Sequence, residues 1–138
     1  MNLLPTTLPT LEGRRVTLRA MKSSDSAALL DIYGEPLVMK YTDETPFPDL
    51  DTVGLMLESV RCLLAGGESL EWAIALQDSD QIIGTCGLHS FDPTLKAAEV
   101  GCLLRHSAWG HGYMTEAIAR VMSYAEVNRP GNVGGRLM

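Results

Sequence analysis

A mixed α/β (α+β) fold, with elements in the order βααβββα and a mainly antiparallel sheet, is what this sequence of 138 residues predicts. Three observations carry that expectation. Stretches around Arg14–Ala20, Leu70–Phe91 and Lys96–Leu104 alternate apolar and polar side chains at the two-residue period of a pleated strand. Stretches around Ala27–Tyr33, Leu55–Leu64 and Met114–Ala125 place apolar residues along one side of a helix. The composition, 46% hydrophobic and 20% charged, is that of an ordinary globular domain, and the length suits one core without room for a second.

Taken in order, residues 1–10 read as a flexible lead-in, with prolines at 5 and 9 and none of the basic residues that open a secretory signal. The first strand follows, with Val16, Leu18 and Ala20 alternating against Arg15, Thr17 and Arg19. Ser23, Ser24 and Asp25 offer caps for a helix that Gly34 closes. Pro36 to Asp49 reads as irregular, holding prolines 36, 46 and 48. Asp51 or Thr52 then caps a second helix carrying Leu55, Met56, Val60, Leu63 and Leu64, stopped by Gly66-Gly67. A hairpin runs from Leu70 to Gln77 and back from Gln81 to Phe91 around Asp78-Ser79-Asp80. Gly84 and Gly87 inside its second arm mark a bulge or a close approach by backbone or ligand. Asp92-Pro93 turns the chain into a third consecutive strand.

That strand opens the most informative stretch, Ala97 to Ala125. Val100, Cys102 and Leu104 alternate along it, Trp109-Gly110-His111-Gly112 makes a tight turn, and a helix begins with Met114, Ile118, Val121 and Met122 on one face. The first turn of a helix presents N–H groups without intrahelical acceptors at the positive end of the macrodipole. Glycines let a ligand come close to those amides. Strand, glycine turn and helix therefore predict an anion site suited to a phosphate or pyrophosphate.

The string AEVGCLL, followed by WGHGYMTEAI, resembles the acetyl-CoA-binding segment of the GNAT superfamily of N-acetyltransferases, most closely its ribosomal-protein-alanine N-acetyltransferase branch. With LEGRRVTLRAMKSSDSAALLDIYG upstream, the resemblance covers about residues 11–126. It implies an acyltransferase that moves acetyl from acetyl-CoA to a primary amine, a protein N-terminus or a small molecule, by direct attack in a ternary complex. It further implies that backbone groups of Cys102, Leu103 and Leu104 hold the pantetheine arm. The amides of Trp109, Gly110, His111, Gly112, Tyr113 and Met114 would face the pyrophosphate, with Trp109 and Tyr113 also acting as packing anchors. His111 and Arg105 stand where they would add charge near phosphate. The first two helices and the loop between them would border the acceptor.

Such a transfer needs a group that takes a proton from the acceptor ammonium. Glu99, on the strand beside the cofactor, is the first candidate; His89 and Glu71 on neighbouring strands are alternatives. No Ser-His-Asp or Cys-His pattern suggests a covalent intermediate. The resemblance also implies further strands and a helix beyond residue 126, whereas residues 127–138 form a glycine-rich tail around Pro130-Gly131. The chain therefore reads as an incomplete domain of that kind, expected to be weakly active unless a partner supplies the strands. Its exposed sheet edge would then be open to homodimer pairing. The alternative is a non-catalytic fragment that binds coenzyme A or phosphate, or that self-associates.

Charge and cysteines narrow the partners. A net charge of −6 argues against nucleic acid and leans toward cationic substrates. No apolar run is long enough to span a membrane. Cys62, Cys86 and Cys102 have no metal-ligand spacing, so no metal is expected. Cys86 and Cys102 fall inside apolar strand patterns and read as small buried residues of a reduced, cytoplasmic protein.

Overall fold

The computed structural model describes residues 7–89 and 99–128. Five strands form one antiparallel meander in the spatial order β1 to β5: Leu11–Glu12, Val16–Arg19, Leu70–Leu76, Ile82–His89 and Glu99–Leu104. The helices among the described residues are α1 Ser26–Tyr33, α2 Pro36–Met39, α3 Leu50–Ala65 and α4 Tyr113–Asn128. The mixed, mainly antiparallel fold and its element order are as predicted, with two short additions, β1 and α2.

The pleat of β3 divides the protein into two cores. Leu70, Trp72 and Ile74 point one way and join Leu18, Cys86, Leu88 and Leu104 beneath Ala117 and Val121 of α4. Ala73 and Ala75 point the other way and meet Leu29 and Ile32 of α1, Val38 and Met39 of α2, and Val53 of α3. A register shift between Ile74 and Ala75, opposite Ile82–Gly84, marks the bulge that the strand glycines foretold. At Gly84 a Cβ would run into the Leu103 carbonyl oxygen and Leu104 Cδ1, so glycine is what lets β5 lie this close to β4.

Several local expectations shift. The lead-in does not stay loose to residue 10: the Trp72 indole N–H donates to the Pro9 carbonyl at 2.7 Å, and β1 pairs with β2 directly after it. Asp25 stands at the N-cap position of α1, but its side chain makes no capping bond there. A 3-10 turn, Ser23–Asp25, precedes the helix, and the Asp25 carboxylate reaches back to take two hydrogen bonds from Arg19 and one from the Lys22 N–H. Burial alone would raise the Asp25 carboxyl, but those donors outweigh it and hold the group below its usual range.

Asp49, rather than Asp51 or Thr52, caps α3, accepting from the Thr52 N–H at 3.0 Å. Met56 and Leu64 of the predicted apolar face pack against the two cores, and one residue of that face departs. Val53 is fully buried, while Leu55, expected in the core, is 73% exposed. The Pro36–Asp49 stretch is not wholly irregular, because Pro36 sits in the first turn of α2 and the Glu35 carboxylate caps it. The hairpin turn at Asp78-Ser79-Asp80 forms as expected, with Asp80 in the left-handed region at φ 57°. The expectations at Phe91, Asp92-Pro93 and Lys96, and for residues 129–138, lie outside the described residues.

Candidate functional site

The site grows from the free side of β5. The Arg105 N–H donates to the Ile83 carbonyl, which makes Leu104–Gly84 a non-hydrogen-bonded pair. By alternation Val100, Cys102 and Leu104 turn their backbone N–H and C=O groups away from β4. No strand among the described residues is set against that outer edge. Leu103, expected to offer backbone as well, directs its N–H and C=O toward β4 and contributes a side-chain wall instead. The Leu104 carbonyl already accepts the Trp109 indole N–H at 2.8 Å.

After Leu104 a 3-10 turn, His106–Ala108, leads into the predicted glycine turn. Gly110 and Gly112 stand at φ +82° and +80°, conformations that L side chains adopt only with strain. Around Gly110 a Cβ would meet open space, so the backbone angle alone requires glycine there. The Trp109 N–H is taken by the His106 carbonyl at 3.1 Å, so the row of amides available to a ligand starts at Gly110 rather than at Trp109. The first intrahelical bond runs from the Glu116 N–H to the Gly112 carbonyl, leaving Tyr113 and Met114 at the start of α4 without intrahelical acceptors.

Two side chains that sequence reasoning left out of the site brace this turn. Arg15 donates from Nη1 to the His111 carbonyl at 3.0 Å and lays its guanidinium 4.5 Å from the centre of the Tyr113 ring. Glu116 takes hydrogen bonds from the Arg15 and Val16 N–H groups and from Arg15 Nε. Burial would raise the Glu116 carboxyl, but these donors prevail and keep it below its ordinary value. The two residues lie 101 positions apart. The sequence signals were faint: a basic pair just before Val16 and an acid in the first turn of a helix, where the macrodipole favours it.

Two adjoining cavities follow this path. One, of about 240 Å³, lies between β5 and the α2 region and is lined by Cys102, Leu103 and Leu104 together with Tyr41, Trp109 and Met114. The other, of about 370 Å³, is lined by Gly110, Gly112, Tyr113 and Thr115, and shares Leu104, Trp109 and Met114 with the first. Trp109, expected as a packing anchor, keeps 40% of its surface exposed and forms the wall common to both; Tyr113 is half-buried against the α4-side core. This arrangement fits coenzyme A: an edge strand with outward backbone groups for an amide-bearing arm, then free amides at a helix start for a pyrophosphate.

The remaining candidates divide by face. Glu99 and His89 are cross-strand partners, with Nδ1 to Oε1 3.6 Å, and Glu99 is well exposed. Arg105, considered for the phosphate, instead sends Nη2 to 3.6 Å from Asp31 of α1. Glu71, on the α1–α3 face of β3, is partly buried, and burial pushes its carboxyl up to about 7. Tyr33, in the same region, shares a 2.8 Å hydrogen bond with Thr85, and burial raises its phenol to about 12.

Cys86 and Cys102 face each other across β4 and β5 with Cα atoms 4.2 Å apart and are joined as a disulfide. This corrects the expectation of two separate, reduced small residues. Its cause is register, because a non-hydrogen-bonded antiparallel pair brings side chains closest together. Cys62 is free and exposed. No helix among the described residues is long and apolar enough to cross a membrane.

Comparison with known proteins adds a family. Residues 15–133 match the family model described as an acetyltransferase (GNAT) domain. The chain is 32% identical over 117 residues to an uncharacterized N-acetyltransferase, p20, of Bacillus licheniformis, covering 85% of this chain and 66% of that protein. It is 26% identical over 116 residues to an uncharacterized N-acetyltransferase, YoaA, of Bacillus subtilis (strain 168), covering 84% and 66%. The chain thus spans just under two thirds of the length of these curated relatives. Among solved structures it resembles RimL, a ribosomal α-N-protein acetyltransferase in complex with coenzyme A, with a TM-score of 0.76 at 19% identity, over 91% of this chain and 71% of that one.

Proposed function

The chain belongs to the acetyltransferase (GNAT) domain family, and from that premise we propose that it transfers acetyl from acetyl-coenzyme A to a primary amine. The observation that carries this reading is the continuous path formed by the outer edge of β5, the Gly110–Gly112 turn and the start of α4. Bound along it, acetyl-coenzyme A supplies an acetyl thioester. The outward N–H and C=O of Cys102 and the N–H of Leu104 would hold the pantetheine amides. The amides of Gly110, His111, Gly112, Tyr113 and Met114 would receive the pyrophosphate, while Arg15 stiffens the turn from behind. The side chains of Leu103, Trp109 and Met114 would exclude water from the arm.

An amine acceptor must lose a proton before it can attack. Glu99 and His89, together at the exposed end of β4 and β5, are proposed to carry that proton away on the solvent side. The acidic balance of the chain suits a cationic acceptor, and the likeness to RimL supports a protein N-terminus among the candidates. A second reading, pairing of two copies along β5, is favoured by the outer edge of β5, against which no strand among the described residues is set.

The test is calorimetric titration with acetyl-coenzyme A alongside thiol release over a panel of peptide and small-molecule amines. Binding with amine-dependent thiol release supports transfer. Binding without release leaves a coenzyme A-binding module, and absence of binding overturns the assignment. Sedimentation with and without coenzyme A tests the second reading, since pairing along β5 and ligand occupancy compete for the same edge.

A further inference from the structure

One carboxylate is held where the proposed groove makes no use of it. Glu71 lies between two cavities on the α1–α3 face. The first, of about 480 Å³, carries the basic residues Lys22 and Arg61. The second, of about 450 Å³, carries Tyr33, Glu44, Thr52 and Ser59, with no basic residue in its lining and with apolar walls from Phe47, Met56 and Leu63. Among the described residues Glu71 has neither a hydrogen-bond donor nor an ion-pair partner, although the site is partly buried. A carboxylate withdrawn from water without a partner is unfavourable, and its site is one that a cation would stabilise.

The register of the sheet says where that cation would stand. Glu71 pairs with Gly87, and Gly87 pairs with Gly101. On the α1–α3 face this row carries no side chain beyond the acid itself. The Glu71 carboxylate lies over Gly87 in the space that a Cβ would fill, and a Cβ at Gly101 would have only His89 Nε2, at 3.1 Å, for a neighbour. With strands about 4.8 Å apart, this glycine row runs about 10 Å from Glu71 to β5, with the Glu71 carboxylate over Gly87 and the His89 ring beside Gly101, and the far edge of β5 bounds the proposed coenzyme A groove.

We propose that Glu71 receives the acceptor: its carboxylate binds the primary ammonium of an aliphatic amine, whose methylene chain lies in the Tyr33–Glu44 cavity, and takes one proton from it. The inference rests on the acetyl-transfer reading and names that reaction's acceptor site. One N–H bond breaks and one O–H bond forms, and the electron pair stays on nitrogen as the free nucleophile. A charge-assisted contact of about 2.8 Å from the carboxylate sets the nitrogen beyond Gly87, on the side of β5. Glu44 in the same cavity gives a second ammonium a partner, so a diamine is bound better than a monoamine of equal length. The groups around the carboxylate are Tyr33 and Glu44 on one side, Lys22 and Arg61 on the other, and His89 along the glycine row. Burial, which raises the Glu71 carboxyl to about 7, suits it to hold a proton for part of the cycle near neutral pH.

The experiment titrates 1,4-diaminobutane, propylamine and N-acetylated 1,4-diaminobutane into the full chain at pH 8. Binding is read by calorimetry and by the carboxyl-carbon resonance of Glu71, which needs no variant. Diaminobutane is expected to move that resonance and to bind at least tenfold tighter than to Glu71→Gln. Gly87→Ala, whose Cβ displaces the carboxylate without removing it, is expected to weaken diaminobutane similarly, and coenzyme A affinity is expected to stay within twofold in both variants. A Glu71 resonance that does not respond, or diaminobutane affinity unchanged in Glu71→Gln, overturns the proposal. Failure of wild-type chain to bind coenzyme A would instead remove the acetyl-transfer reading, so the two failures are told apart.

Discussion

Glu71 and Trp72 are neighbours on one strand, yet they belong to regions built on different principles. Trp72 faces α4, where it is fully buried, its indole N–H tied to Pro9 and its ring edge-on to Tyr124 at 5.9 Å. Glu71 faces α1 and α3, where small residues, two glycines and two cavities leave a carboxylate without an ionic partner among the described residues. One face is filled to stabilise the sheet; the other is left partly open at a free-energy cost. On the proposed reading, a sheet whose two sides differ in this way keeps the tightly packed side apart from the side that receives the acceptor amine.

The largest effect should come from emptying the filled side. Trp72→Ala removes a fully buried aromatic ring and a partly buried hydrogen bond, and a loss of about 3–5 kcal/mol is expected, seen as a lower denaturant midpoint. If Trp72→Ala unfolds no more readily than wild type, the division between the two faces is wrong.

The reverse is expected at the next residue. Glu71 titrates near 4.5 when unfolded and at about 7 when folded, so the native state holds its proton over a wider range. Its contribution to stability is fully present below about pH 4.5 and is lost as pH rises through 7. Glu71→Gln, which has no such charge, should therefore gain on wild type across that window, by on the order of 1–3 kcal/mol at pH 8. Thermal midpoints at pH 4 and pH 8 check it, and an equal difference at both values would contradict the burial of that carboxyl.

A smaller change is expected in the glycine turn. Gly112→Ala forces a side chain into a φ of +80°, where Arg15 Nη2 also stands 3.4 Å from the new Cβ. About 1–2 kcal/mol of stability should be lost, and coenzyme A affinity should fall by about tenfold, measurable by calorimetry. The smallest effect belongs to Leu55→Ser. The helical pattern placed Leu55 in the core, but it is 73% exposed, so its replacement should move stability by less than about 0.5 kcal/mol.

By itself the sequence determined what depends on neighbours along the chain. The alternation of β3, β4 and β5, the hairpin turn with Asp80 at positive φ, and the passage from strand through Gly110 and Gly112 into α4 are all set within a few residues, by side-chain period and backbone freedom. That is why the strand, glycine turn and helix were legible, while finer details moved: the Trp109 amide is bonded to His106, and Leu103 turns its backbone toward β4. Tertiary structure alone decided what depends on register and burial. The Arg15–Glu116 brace spans 101 positions, the Cys86–Cys102 pair exists because two strands meet in a non-hydrogen-bonded register, and the inward face of α3 was set by Val53. Glu71 is the clearest case: in sequence it is one of several acids near a strand, and its surroundings arise from Gly87, Gly101, Tyr33 and Glu44, residues that only the packed sheet and helices bring around it. A carboxyl's affinity for its proton depends on the water and charges around it, and those are fixed only when distant segments close over it.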